Sequence, residues 1–204
     1  DRTMYFPYNA GEPEPSAPHT ALRFAEIRKA IREAADAGPL LGTMVNLQTP
    51  AVQLPNLYFF SRCAFDPADA ETPDEVILRD LARLVAPRIA DPLASAWTLL
   101  LPFAEDPARA GDCFHAADTL DAIVRSGDFG LPGAIGRHVI PDVPTLIDDL
   151  ARRVRLRGLA LETERAIGAD ATPAMETSLG RYLRAGLEWQ RRTGYHDRGW
   201  ITGW

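Results

Sequence analysis

Cysteine is scarce. The 204 residues hold two, Cys63 and Cys113. Two thiols cannot make a disulfide framework, and neither sits in a C-x-x-C or histidine-paired spacing. Both read as small buried apolar residues, with one bridge between them as the alternative. Long apolar runs are missing too. The longest, Trp97 to Ala104, is short and is broken by Pro102, well under the ~18–20 residues that a bilayer span needs. Nor is there an excess of positive charge. The formal net charge is -6 and the isoelectric point is near 5.2, the opposite of a nucleic-acid-binding footprint. Neither a membrane nor a nucleic-acid partner is therefore expected. The first residues, DRTMYFPYN, lack the charged start, apolar middle and small-residue cleavage site of a secretory signal, which favours a cytoplasmic over a secreted protein. No G-x-S-x-G, H-E-x-x-H or phosphate-loop pattern occurs. The histidines (His19, His115, His138 and His196) have no metal-ligand spacing, and His115 reads as structural. No metal and no cofactor are expected.

What remains is the balance of an ordinary globular chain, 46% hydrophobic and 25% charged. The organising stretch is Leu40 to Phe60, LLGTMVNLQTPAVQLPNLYFF. It opens as a near-continuous apolar run, turns polar at Asn46, Gln48 and Thr49, and closes in aromatics. Upstream, Thr3 to Tyr8 is β-branched and aromatic and reads as a short strand. Asn9 to Thr20 is a loop rich in Pro and Gly. Ala21 to Ala37 carries Phe24, Ile27, Ile31 and Ala34 on one stripe of a helix, stopped by Gly38 and Pro39. Leu40 to Val45 then suits a strand covered on both faces, as in a parallel sheet. Strand, helix and strand make one parallel crossover unit.

From Thr72 the periodicity is helical. Thr72-Pro73-Asp74-Glu75 has the form of a capping box with Pro at the first position. Asp91-Pro92, Asp106-Pro107, Asp142-Val143-Pro144 and Thr172-Pro173 open further helices. The last runs through Met175, Leu179, Tyr182, Leu183 and Leu187, with the charged face of Glu188 and Arg192 read as solvated. Gly127 to Pro141 reads as a connector, because its G-x-x-G-x-x-G run (Gly130, Gly133, Gly136) follows no strand. Trp97 and Trp189 are expected in the core. The tail GYHDRGWITGW is expected to dock, since it carries three aromatics. A boundary near residue 70 divides the chain into an α/β portion, residues 1–70, and a helical portion, residues 71–204.

If the two strands are parallel, their C-terminal ends share one edge, which is where ligands bind in open α/β sheets and in (β/α)₈ barrels. The rim would carry Tyr8, Asn9, Glu12, Glu14, His19, Asn46, Gln48, Thr49, Gln53 and Asn56. That carboxylate-and-amide set suits a polyhydroxylated ligand. Glu12, Glu14, Asn46, Gln48 and Asn56 are the expected substrate-binding residues. A two-stranded unit is not stable alone, so upstream polypeptide or another chain is expected to complete the sheet.

GEPEPSAPHTALRF, followed by GTMVNLQTPAVQLPNLYFF and then by helices, resembles the end of a glycoside-hydrolase-type (β/α)₈ barrel with an appended helical domain, in a hexosaminidase-like layout. The likeness covers residues 1–65 and is architectural beyond them. It implies an α/β plus α chain, predominantly helical: the terminal β/α units of a TIM-type barrel followed by a helical bundle. It also implies a carbohydrate ligand and a hydrolase, or glycosidase, to which this chain contributes part of the sugar-binding rim. Glu12 and Glu14 share one loop and cannot flank a scissile bond as a catalytic pair. The catalytic acids are expected upstream of Asp1. The rival reading is a non-catalytic helical interaction protein, or a subunit that completes a partner's sheet. A barrel enzyme of another class, such as an isomerase or lyase, is a third.

Overall fold

A computed structural model describes residues 4–7, 22–38, 42–45, 50–102, 106–140, 142–169 and 171–193. Two short strands, β1 (Met4–Tyr5) and β2 (Gly42–Thr43), run parallel, with Met4 opposite Gly42 and Tyr5 opposite Thr43. Helix α1 (Phe24–Asp36) lies between them in sequence, as expected for a crossover unit. Seven helices follow: α2 (Pro50–Phe65), α3 (Asp74–Val85), α4 (Ala90–Thr98), α5 (Ala110–Ser126), α6 (Ala134–His138), α7 (Val143–Gly168) and α8 (Thr172–Thr193). Short 3₁₀ turns precede α3, α4 and α5.

The barrel expectation is overturned. The described residues form a helical protein with one two-stranded sheet, not the terminal units of a TIM-type barrel. The error has a physical source. A parallel strand–helix–strand signal is local, whereas the number of strands that share a sheet depends on pairing with distant segments. Most of the rim segment also proves helical. Residues 50–56, expected in the polar rim segment after the second strand, fall in α2, with Pro55 inside it. Pro50 at the first helical position costs nothing, since that N–H has no intrahelical partner anyway. Pro55 removes one bond from the ladder. The helix persists because Gln53, Leu54, Asn56, Phe59, Phe60 and Cys63 are all inside, although Ser61, Ala64 and Phe65 near its C-terminal end are exposed. Fully burying a Leu or Phe contributes roughly 1.5–3 kcal/mol, enough to offset one proline.

α1 forms as its stripe predicts, with Phe24, Ile27, Ala30, Ile31 and Ala34 buried. Phe24 meets Phe59 of α2 with ring centroids 4.6 Å apart and planes tilted by 44°. Asp66 and Asp106 each accept a hydrogen bond from the backbone N–H two residues on, which holds the Pro-led turns that start at Pro67 and Pro107. Thr72 does not act as the capping residue: α3 has no side-chain cap, and Pro73 precedes its first residue. α5 ends at Gly127, which takes the left-handed conformation (φ 68°) that glycine adopts without strain.

One connected core includes residues from both sides of position 70, from Leu22 and Phe59 to Trp97, Leu120 and Leu161. Trp97 is fully buried and Trp189 nearly so, as expected. The connector after Gly127 is not simply a loop. It contains α6, and Gly133 and Gly136 press against the C-terminal end of α3. α8 does not turn its leucines inward. Ser178, Trp189 and Gln190 are buried, while Leu179, Leu183 and Leu187 are exposed.

Candidate functional site

The strand pair and the helices that flank it define the place where a ligand rim was expected. The β1–β2 pairing is carried by the Met44 N–H, which donates to the Tyr5 carbonyl at 3.0 Å. Tyr5 sends its phenol O–H to Glu33 on α1 at 2.5 Å, tying the sheet to the crossover helix. That bond to a carboxylate, with smaller contributions from burial and from the Glu33 charge, pushes the Tyr5 pKa up. The sheet is thin. Among the described residues no further strand flanks either β1 or β2. Met4, Phe6 and Met44 are 51%, 43% and 48% exposed, so this sheet puts large apolar side chains into solvent.

Of the five expected substrate-binding residues, Glu12, Glu14, Asn46 and Gln48 lie outside the described residues, as do Tyr8, Asn9, His19 and Thr49. Asn56 is described, and it is not on a rim. It is wholly buried on α2, and its Oδ1 accepts the Arg23 backbone N–H at 2.9 Å. Arg23 is the N-cap residue of α1, and its own side chain makes no capping hydrogen bond. A side chain from α2 thus satisfies a donor at the start of α1, one of the groups that a helix cannot pair internally. Gln53, one turn earlier on α2, is also buried. The Asn56 amide belongs to the joint between α1 and α2. The hydrolase and glycosidase expectation loses its frame with the barrel, since the shared catalytic edge was inferred from that fold.

A second structural joint ties α1 and α2 to the turn that precedes α3. Arg28 on α1 donates through Nε to the Ala70 carbonyl at 2.8 Å and through Nη2 to the Thr72 carbonyl at 2.7 Å. The same Nη2 is 2.5 Å from the Asp74 carboxylate. The guanidinium also stacks over Phe59, 4.8 Å from the ring centre. Arg62 on α2 grips Asp69 with Nε and Nη2 at 2.9 and 3.0 Å and reaches Asp80 with Nη1 at 3.2 Å. These arginines connect α1, α2 and α3 across the Pro67–Glu71 turn.

An open cleft of about 750 Å³ lies between α3, α4 and α5. Arg79, Arg83, Arg109 and His115 line it, together with Glu75, Asp91 and Asp112. His115, read as structural, is exposed there. Arg83 pairs with Asp80 at 3.6 Å and Arg109 with Asp112 at 3.6 Å. The cleft is open and of mixed charge, and two of its arginines, Arg83 and Arg109, are engaged with neighbouring acids. Cys63 and Cys113 are both free and buried, and burial pushes each thiol up to about 11, too high for a nucleophile at neutral pH. No group of three or more His, Cys, Asp or Glu that could hold a metal occurs among the described residues, and no described helix is long and apolar enough to cross a membrane.

No family model, no curated protein and no solved structure matches this chain.

Proposed function

We propose that this chain is a helical interaction protein whose two-stranded parallel sheet is completed by strands of a partner polypeptide. The observation that carries this reading is the sheet itself. Parallel sheets are buried on both faces and are built from several strands. An isolated two-stranded unit is marginal in water. Here a parallel pair leaves Met4, Phe6 and Met44 in solvent. A strand added to its edge would gain main-chain hydrogen bonds, and the partner's own covering elements would bury the methionines and the phenylalanine. This is the physics of strand addition at an exposed edge. The outward leucines of α8, Leu179, Leu183 and Leu187, give the helical half a second apolar stripe of the kind that binds a partner helix.

Hydrogen–deuterium exchange on the chain alone tests this reading. The segment 42–45 should exchange far faster than the α3 segment 77–82, because two unsupported strands open readily. Protection of 42–45 equal to that of α3 in a monomer would mean that the sheet is complete as it stands, and the proposal would fail.

A further inference from the structure

α8 is held to the chain by a small apolar seam. Its inner side meets α7 through Tyr182, Ala185 and Trp189 packed on Leu156, a cluster separate from the main core. Polar ties complete the joint. The Trp189 indole N–H donates to Asp149 at 2.8 Å, Arg181 pairs with Glu162 at 3.1 Å, Glu188 with Arg152 at 3.5 Å and Arg192 with Asp148 at 3.8 Å. The aliphatic side chains go the other way. Leu179, Leu183 and Leu187 are 40%, 36% and 37% exposed. Their spacing of four makes a ridge, the form in which one helix packs into the groove of another. Single exposed leucines are ordinary, whereas a row of them along one helix marks a surface that something covers.

The charges beside the row decide what covers it. Arg181, Glu188 and Arg192 are used in the joint with α7. Glu176, Arg184 and Arg191 are exposed, and none of them is in an ion pair among the described residues. Glu176 lies three residues before the row and Arg191 four after it, both on its face. Leu183 stands between them, about 10.5 Å from one and about 12 Å from the other along the axis at ~1.5 Å per residue. The row and its charges are therefore complementary to their own reverse. A two-fold axis beside Leu183 sets Leu179 of each copy against Leu187 of the other. The same register sets Glu176 of each copy opposite Arg191 of the other, so both of these charged contacts are attractive. That is what an isologous interface requires, since one patch must fit itself. Parallel packing would instead oppose Glu176 to Glu176 and Arg191 to Arg191. In the antiparallel pair Arg184 meets its own equivalent, on the flank of the row, where a long side chain can turn into solvent.

We propose that the outer face of α8 is a homodimer interface, in which two copies of this chain pack their α8 helices antiparallel about Leu183. This rests on the part of the proposed function that reads the leucine stripe as a helix-binding surface, and it names the partner; the sheet and its partner strand are not involved. One helix per copy makes a small interface, below about 1,200 Å². The dimer is therefore transient, with Kd on the order of 10–100 µM.

Sedimentation velocity of the full chain, from about 1 µM to about 500 µM, tests it. The weight-average mass should climb from that of the monomer toward twice that value. Leu183→Glu puts two carboxylates at the axis and should stay monomeric over the whole range. Glu176→Arg and Arg191→Glu each turn two attractive contacts into repulsive ones, and each should weaken the dimer about tenfold. Combined in one chain, the two changes should restore it. Arg184→Ala removes the like charges at the axis and should tighten it. These charge variants sit at exposed positions and decide the matter should Leu183→Glu fail to fold. A chain that stays monomeric at about 500 µM would overturn the proposal and leave the stripe to a helix of another polypeptide. A dimer that survives Leu183→Glu, a double charge swap no better than the single ones, or an Arg184→Ala protein that associates more weakly would overturn it as well. None of these outcomes bears on exchange at 42–45, which tests the sheet.

Discussion

Gly133 lies directly against the carbonyl of Leu84: a methyl group at Gly133 would stand 2.2 Å from that oxygen. The Gly133 N–H donates to the next carbonyl, Val85, at 2.9 Å. Gly136 approaches the Val85 carbonyl as closely. The glycines between α5 and α7 therefore let one backbone lie on another, where a side chain would force them apart.

The first prediction follows from that contact. Gly133→Ala should lower stability by about 3 kcal/mol, the upper range for overpacking against an unyielding backbone. Gly180→Ala, in the middle of α8 with nothing within 4 Å of the added methyl, should raise it by about 0.5–1 kcal/mol. Denaturant midpoints at constant slope measure both. Equal effects would remove the close approach as the reason for glycine at 133.

Asn56 offers a second test. Asn56→Ala leaves the Arg23 N–H without its acceptor in a buried joint and should cost about 1–3 kcal/mol. Asn56→Asp keeps an acceptor, yet buries a charge. It should be tolerated better at acid pH than at neutral pH, as urea titrations at the two values would reveal.

Arg28 gives a third. Its guanidinium serves two carbonyls, a carboxylate and an aromatic face at once. Lysine has the charge but neither the planar fork nor the stacking surface. Arg28→Lys should lose about 1–3 kcal/mol in chemical denaturation. A change below a few tenths would mean that the carbonyls of Ala70 and Thr72 find other donors.

The fourth concerns pH. The Asp149 carboxyl is raised above its ordinary value of 3.8 in the folded state, by burial first of all. A raised acid favours the folded state while it is protonated, below the unfolded value. That contribution is lost as pH climbs from about 3.8 through the folded value. Asp149→Asn cannot ionise and keeps an acceptor for the Trp189 indole. Its stability relative to the wild type should therefore increase across that window. A difference that stays flat from pH 3.5 to 7 would contradict the burial argument.

The cysteines supply a fifth. Both are buried, with thiols raised to about 11. Neither Cys63 nor Cys113 should react with an alkylating agent or an aromatic disulfide at pH 8 in the native protein, and both should react at once in denaturant. Rapid labelling of either in the folded chain would refute the placement.

The legible part of this fold was whatever has a local cause. The α1 stripe, the Pro-led starts of α5, α7 and α8, the Gly127 stop and the parallel pairing of Met4–Tyr5 with Gly42–Thr43 were all readable from neighbours in sequence. α2 was not, because its apolar residues follow no amphipathic period, and Pro50 and Pro55 imitate a loop. α8 misled in the opposite way. Its leucines repeat with the right spacing but face outward, and the inner seam is made by Ser178, Tyr182 and Trp189 against α7. The expected rim failed at Asn56, since nothing in its surroundings in sequence announces a distant N–H that needs it. The burial of Arg153 and Arg157 is not legible in the sequence, because charged residues in a helix read as a solvated face.

The grip of Arg28 has a practical corollary for anyone dissecting the chain. A cut after Ala70 would part this arginine from Thr72 and Asp74 and would strip α1 and α2 of the hydrophobic neighbours they share with later helices. The first seventy residues, produced by themselves, should be sticky and loosely ordered, and mixing the two pieces should restore a single cooperative melt.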